Sequence, residues 1–229
     1  DGPESGDTIV QDSPEGITTT VQPEVISSDQ MVTSALELAD TLSNEQYYLF
    51  GGSWIELALQ TKGIAYKRKH DDIDVAIGNL SSIAILQQKG CTPTEKPHIR
   101  EGHFFSGTDK LGTPLEVMVR EIHPQNCINI VLNGRRISGR ELELEYLEKK
   151  YVIAMAKRHS KEVRGEHISD VQALEQVVDL EVVDQHIKEY AEEEGERLKQ
   201  EMMASLETNG IVEYINLVNQ QVDIPEHIR

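Results

Sequence analysis

The sequence predicts an α+β protein, a mixed β-sheet with flanking helices followed by a helical C-terminal part. Three observations carry that expectation. Short apolar or alternating runs at Tyr47–Phe50, Asp72–Ile77, Leu115–Val119 and Ile128–Leu132 are interleaved with stretches of helical spacing, which is the pattern of strands and helices sharing one domain. From Glu141 onward the texture is almost wholly helical. Residues 1–27 show no apolar periodicity and are rich in acids, Pro, Gly, Ser and Thr, a composition that buries too little apolar surface to fold. The expected division is an acidic disordered tail over 1–27, a mixed α/β domain over 28–140 and a helical domain over 141–229.

In chain order, a Ser-Ser-Asp start precedes a helix in which Val32, Leu36, Ala39 and Leu42 share one face, ending near Asn44. Tyr47-Tyr48-Leu49-Phe50 reads as a short buried strand running into Gly51-Gly52-Ser53, and Trp54–Leu59 resumes helical character up to Gly63. Along Asp72–Ile77 the side chains alternate, so Asp72, Asp74 and Ala76 share one face while Ile73, Val75 and Ile77 share the other. One face is core and the other carries two carboxylates. A short helix is expected around Ser81–Gln88, then the run His103-Phe104-Phe105, a turn over Ser106–Gly112, and a second alternating strand. There Leu115, Val117 and Val119 face one way, Glu116 and Met118 the other. Ile128–Leu132 followed by Asn133-Gly134 reads as a strand entering a tight turn. In the helical part Leu144, Leu147, Tyr151 and Met155 define one face, and Ile168, Val171, Leu174 and Val178 define another. A last strand is expected at Ile211–Ile215.

The chain of 229 residues has 40 Asp and Glu against 22 Lys and Arg, a net charge of −18. Residues 1–30 contribute −7 and residues 179–201 contribute −6, so the rest carries an ordinary surface charge. The balance argues against nucleic acid as a partner, because such binding draws on clustered Lys and Arg. Cys91 and Cys127 stand alone without CxxC spacing, which excludes a disulfide scaffold and a Cys-rich zinc module. No apolar run approaches the ~20 residues that span a bilayer, and the first residues lack the basic-then-apolar order of a signal peptide. A cytoplasmic protein without membrane contact is expected.

The chemistry lies in Gly51-Gly52-Ser53 and Arg68-Lys69-His70-Asp71-Asp72-Ile73-Asp74. Two carboxylates at i and i+2 of a strand project side by side. They are close enough to share a divalent cation and too close to stay ionised comfortably without one, which points to Mg²⁺. The glycines let backbone N–H groups approach an anion, and Ser53 adds a hydroxyl where the next helix starts and its dipole favours phosphate. Triphosphate with Mg²⁺ is the natural ligand pair. Glu116, on the polar face of another alternating strand, is a third acid, able to hold metal or to accept a proton from an attacking hydroxyl.

Phe-Gly-Gly-Ser-Trp at 50–54 followed by Arg-Lys-His-Asp-Asp-Ile-Asp at 68–74 resembles the signature of the nucleotidyltransferase superfamily, the fold of DNA polymerase β. Within it, these residues are most similar to the aminoglycoside and lincosamide antibiotic nucleotidyltransferases. The resemblance implies an enzyme that moves a nucleoside monophosphate, usually AMP from ATP, onto a hydroxyl of a small acceptor and releases pyrophosphate. It implies Asp72, Asp74 and Glu116 as catalytic and metal-binding acids, with Mg²⁺ as cofactor. Gly51, Gly52, Ser53 and Arg68 would then contact the nucleotide. A second stretch, Lys157 and then Arg164-Gly165-Glu166-His167-Ile168-Ser169-Asp170, resembles the helical part of related enzymes, including those of abortive-infection and toxin–antitoxin systems. In that comparison Lys157 reaches the triphosphate, while Arg164 and Asp170 fix helices against each other.

Three functional readings follow. The first is a nucleotidyltransferase with an antibiotic-type acceptor, a cationic one being expected because an acidic pocket attracts polyamines. The second is a toxin–antitoxin or abortive-infection type enzyme acting on tRNA or a partner protein. The third is a nucleotide-binding protein of the same fold without turnover. Arg68 either holds the acids or contacts phosphate. His70 is expected to hydrogen-bond beside the site rather than to ligate, since Mg²⁺ prefers oxygen. Trp54 is expected to anchor its helix in the core.

Overall fold

The computed structural model describes residues 26–96 and 103–208, side chains at 198, 199 and 201–208 excepted. Helix α1 (Ser28–Thr41) begins where Ser27 caps it, accepting a hydrogen bond from the Gln30 amide at 3.2 Å, an arrangement that contributes about 1 kcal/mol. Its buried stripe is Met31, Ser34, Ala35, Leu38 and Ala39, continued by Leu42, rotated from the expected face, so that Val32 and Leu36 are only half-buried. Ile26 and Ser27 fall within the segment expected to be tail, yet Ile26 is buried and its amide donates to the His70 carbonyl at 3.0 Å.

Strand β1 (Tyr47–Phe50) leads directly into helix α2 (Gly51–Thr61). The junction needs Gly51, whose φ of +73° lies in the left-handed region that a side chain with Cβ seldom adopts. Strand β2 (Ile73–Ile77) and helix α3 (Ser82–Gln88) follow as expected, then strand β3 (Thr94–Lys96), strand β4 (His103–Thr108) and strand β5 (Pro114–Val119). The turn between β4 and β5 starts later than the sequence suggested. Asp109 closes it by accepting from the amides of Leu111 and Thr113, both at 2.8 Å, so Ser106–Thr108 remain free to pair in the sheet. Strands β6 (Cys127–Leu132) and β7 (Arg135–Arg140) form a hairpin over Asn133-Gly134, both with positive φ, as a two-residue turn of this type requires.

The strands form one mixed sheet in the order β3-β4-β5-β2-β1-β7-β6. Pairing of β2 with β5 and of β1 with β7 is parallel, and every other pairing is antiparallel. One face holds the main core, in which Leu49, Ile73, Val75, Ile77, Leu115, Val117 and Ile137 meet residues of α1, α2 and α3. The opposite face carries a smaller cluster of Tyr48, Phe50, Ala76 and Ile122, flanked by Met118 and Cys127. Trp54 is fully buried, as the sequence suggested, and its indole N–H donates to the Arg140 carbonyl at 2.7 Å. It fits only because residue 139 is glycine, where a Cβ would overlap the indole ring.

Helices α4 (Leu142–Arg158), α5 (Gly165–Leu174) and α6 (Leu180–Thr208) complete the described chain, so the α+β class and the helical C-terminal part are as expected. The faces of α4 differ from expectation. Its buried residues are Leu142, Glu145, Tyr146 and Lys149, whereas Tyr151 is 40% exposed. The helix turns two charged side chains inward because both find partners there. On α5, Val171 and Leu174 are buried and Ile168 is exposed. The strand expected at Ile211–Ile215 lies outside the described residues, as does nearly all of the tail over 1–27. No helix among the described residues is long and apolar enough to cross a membrane.

Candidate active site

The parallel register of β2 and β5 sets Asp74 directly beside Glu116, and Asp72 precedes Asp74 on the same face. The ligand oxygens of Asp72, Asp74 and Glu116 all lie within 4.8 Å of one another. Their ionisation reflects that crowding. Burial raises the Asp74 carboxyl well above the ordinary range, reinforced by the charges of Asp72, Glu116 and Glu145 and opposed by Lys149. Burial and Asp71 raise Asp72, and burial and Asp72 raise Glu116. Three carboxyls that resist ionising together gain most from a divalent cation, and an all-oxygen set of this kind suits a hard one.

The glycine turn abuts these acids. Phe50 pairs with Asp74 across β1 and β2, so Gly51 follows immediately beside the carboxylate, and a Cβ on Gly51 would collide with Asp74 Oδ2. A Cβ on Gly52 would collide with the Arg68 guanidinium. Both glycines are therefore fixed by close approach of an acid and of a base. Two donors expected for an anion are already engaged. The Gly51 amide donates to Glu145 Oε2 at 3.2 Å, and the Ser53 hydroxyl donates to the Asp72 carbonyl at 2.6 Å. Ser53 thus ties the start of α2 to the strand that carries the acids. The amides of Gly52 and Ser53 belong to the first turn of α2, where no intrahelical acceptor exists.

Arg68 is held by α5. Its Nη1 donates to Glu166 at 2.9 Å and its Nε lies 3.3 Å from Asp170 Oδ1. Asp170, fully buried, also accepts from the Tyr66 hydroxyl at 2.6 Å and pairs with Lys149 at 3.2 Å. Of the two residues expected to fix helices, Asp170 occupies that position, while Arg164 is exposed and pairs with Glu166 in its own segment. His70, also buried, shares a 2.6 Å hydrogen bond with Glu56, and the same Glu56 oxygen accepts the Arg68 amide at 3.1 Å. This pair secures the loop leading to Asp72.

Lys157 sits exposed in the last turn of α4, about 12 Å along the axis beyond Lys149 at 1.5 Å per residue. Lys149 is the α4 lysine close enough to act on the Asp74 charge. One turn earlier, Glu145 is buried, and its carboxyl is pushed up to about 7 by burial, with Arg140 opposing. Its Oε1 has no hydrogen-bond donor, and Arg140 lies 3.9 Å away. Glu56, Glu145 and Lys149 were missed in the sequence because each occupies a helix position where an apolar residue signals burial.

No family model matches the sequence, and no curated protein sequence matches it. Among solved structures, an antigenic nucleotidyltransferase-like protein from Paracoccidioides brasiliensis is 19% identical, with a TM-score of 0.43 over 66% of this chain and 78% of that one. The lincosamide antibiotic adenylyltransferase LnuA with lincomycin bound is 14% identical, with a TM-score of 0.45 over 68% of this chain and 100% of that one. The Megavirus polyadenylate synthase is 11% identical, with a TM-score of 0.47 over 76% of this chain and 40% of that one. The chain is similar in fold to nucleotidyltransferases. At these identities the likeness concerns fold alone, and the chemistry follows from the site itself.

Proposed function

We propose that the protein is a Mg²⁺-dependent nucleotidyltransferase that moves a nucleoside monophosphate, AMP from ATP in the first instance, onto a hydroxyl of a small acceptor. The observation that supports it best is the cluster of Asp72, Asp74 and Glu116 set against the first turn of α2 and Lys149. Asp72, Asp74 and Glu116 would hold Mg²⁺, which supplies charge neutralisation at the phosphates of a nucleoside triphosphate. The α2 amides of Gly52 and Ser53 orient the triphosphate, and Lys149 balances charge on the departing pyrophosphate. The acceptor oxygen bonds to the α-phosphorus as the bond to pyrophosphate breaks. Its proton passes to Glu116, half-buried beside Asp74 and able to serve both as ligand and as proton acceptor. Glu145, buried against the Gly51 amide, fixes the glycine turn. Arg68, tied to Glu166 and Asp170, holds Gly52 and the Asp72 loop in place.

Asp74→Asn tests this reading. Mg²⁺-dependent ATP binding and pyrophosphate release with a panel of hydroxyl acceptors should be lost while circular dichroism is unchanged. Full retention of both by the variant refutes the site. ATP·Mg²⁺ binding that depends on Asp74, without pyrophosphate release for any acceptor, supports a nucleotide-binding protein without turnover.

A further inference from the structure

Resting on the nucleotidyl-transfer reading, we propose that the sheet face carrying the acids also carries an acceptor subsite for an anionic group. Arg120 would bind a carboxylate or phosphate of the molecule that supplies the attacking hydroxyl. Arg120 follows β5 directly, its amide bonded to the Ile77 carbonyl at 3.1 Å. Its side chain folds back over the small apolar cluster, with the guanidinium carbon 5.0 Å from the Phe50 ring centroid and 5.9 Å from that of Tyr48. The two rings meet edge-to-face at 6.0 Å, so the guanidinium rests on a fixed aromatic floor.

Its partners set it apart from the other half-buried arginines. Arg68 is neutralised by Glu166 and Asp170, and Arg140 by Glu148 and Glu145. Arg120 donates to the Met118 sulfur, and among the described residues no carboxylate lies within ion-pair distance of it. A guanidinium offers five N–H donors, and a thioether is a weak acceptor. Held on apolar side chains, such a charge attracts carboxylate or phosphate strongly and can bind it through two parallel hydrogen bonds.

Position gives the subsite its role. Phe50 pairs with Asp74 and Tyr48 with Ala76, so the aromatic floor begins at the acids and runs away from the glycine turn. In an in-line displacement the entering and leaving oxygens lie on opposite sides of the phosphorus. With pyrophosphate at Gly52, Ser53 and Lys149, the hydroxyl arrives from the side that Arg120 occupies. On this reading the acceptor carries an anionic group at Arg120, in contrast to the cationic acceptor expected from an acidic pocket.

The test titrates phenyl phosphate, benzyl alcohol and benzylamine into the full chain by calorimetry, with Arg120→Met, Arg120→Lys and Asp74→Asn in parallel. Phenyl phosphate should bind at least about tenfold tighter than the neutral and cationic probes, and Arg120→Met should remove about that factor while Arg120→Lys restores part of it. ATP·Mg²⁺ binding should be unchanged in Arg120→Met. Equal affinity for the three probes, no binding of phenyl phosphate to the wild type, or equal binding by Arg120→Met overturns the subsite. Weakened ATP·Mg²⁺ binding in Arg120→Met also overturns it, assigning the guanidinium to the nucleotide. Asp74→Asn should lose ATP·Mg²⁺ and keep phenyl phosphate. If it keeps both, the nucleotidyl-transfer reading fails while the anion site stands.

Discussion

The backbone N–H of Gly51 donates to Oε2 of Glu145 at 3.2 Å, joining the glycine turn of the sheet domain to a buried carboxylate of α4. That bond places an acid from the helical part within the electrostatic reach of Asp74. It also makes α4 part of the site rather than a cover over it.

Glu145 should make stability depend on pH. Its carboxyl is raised from 4.5 to about 7 in the folded protein, so the native state holds the proton more tightly than the unfolded chain. The stabilising contribution is fully present below the ordinary carboxylate value and is lost as pH rises through about 7. The displacement corresponds to at most about 3 kcal/mol. Urea denaturation from pH 5 to 8 should show Glu145→Gln gaining on the wild type over that range. The raised Asp72, Asp74 and Glu116 are common to both proteins and largely cancel. A difference that does not vary with pH refutes the assignment.

Lys149 and Lys157 make opposite predictions for nucleotide affinity. Replacing Lys149 by Met should weaken ATP·Mg²⁺ binding by roughly tenfold to a hundredfold, the range for losing one hydrogen bond to a charged group. Lys157→Met should leave it unchanged. Lys149→Arg, which preserves the charge facing Asp170, controls for loss of that ion pair. A larger effect at Lys157 would return the phosphate contact to the end of α4.

Gly139→Ala should destabilise the protein by about 1–3 kcal/mol, the usual range for overpacking, because the added Cβ overlaps the Trp54 indole. Indole fluorescence read during urea denaturation reports both the lower midpoint and the displaced ring. Wild-type stability in this variant would mean that α2 can shift away from β7 without cost.

Much of the site was legible in the sequence because strand geometry has a period of two. Alternation placed Asp72 and Asp74 opposite Ile73 and Val75, and the same rule placed Glu116 opposite Leu115 and Val117. Parallel pairing then brings together what sequence could only set side by side in type. The α4 contribution was not legible for the opposite reason. Leu144, Leu147, Tyr151 and Met155 form a credible apolar face, whereas the stripe that docks contains Glu145 and Lys149, whose burial depends on partners from Gly51 and Asp170. Strand β7 was hidden similarly, since Arg135–Arg140 offers Ile137 and Gly139 to the core among three arginines. Ser53 shows a further limit: a hydroxyl in the right place for an anion is spent on the Asp72 carbonyl.

The cluster around Asp170 has a consequence for the order in which the site is made. Arg68 and Tyr66 are synthesised long before Lys149, and all three wait for the one carboxylate of α5 that joins them. A nascent chain that has not yet emerged as far as α5 already possesses its acids and glycines but has nothing to clasp Arg68 beside Gly52 or Lys149 beside Asp74. The placing of Arg68 beside Gly52 and of Lys149 near Asp74 therefore arrives late and all at once, when α5 closes on both.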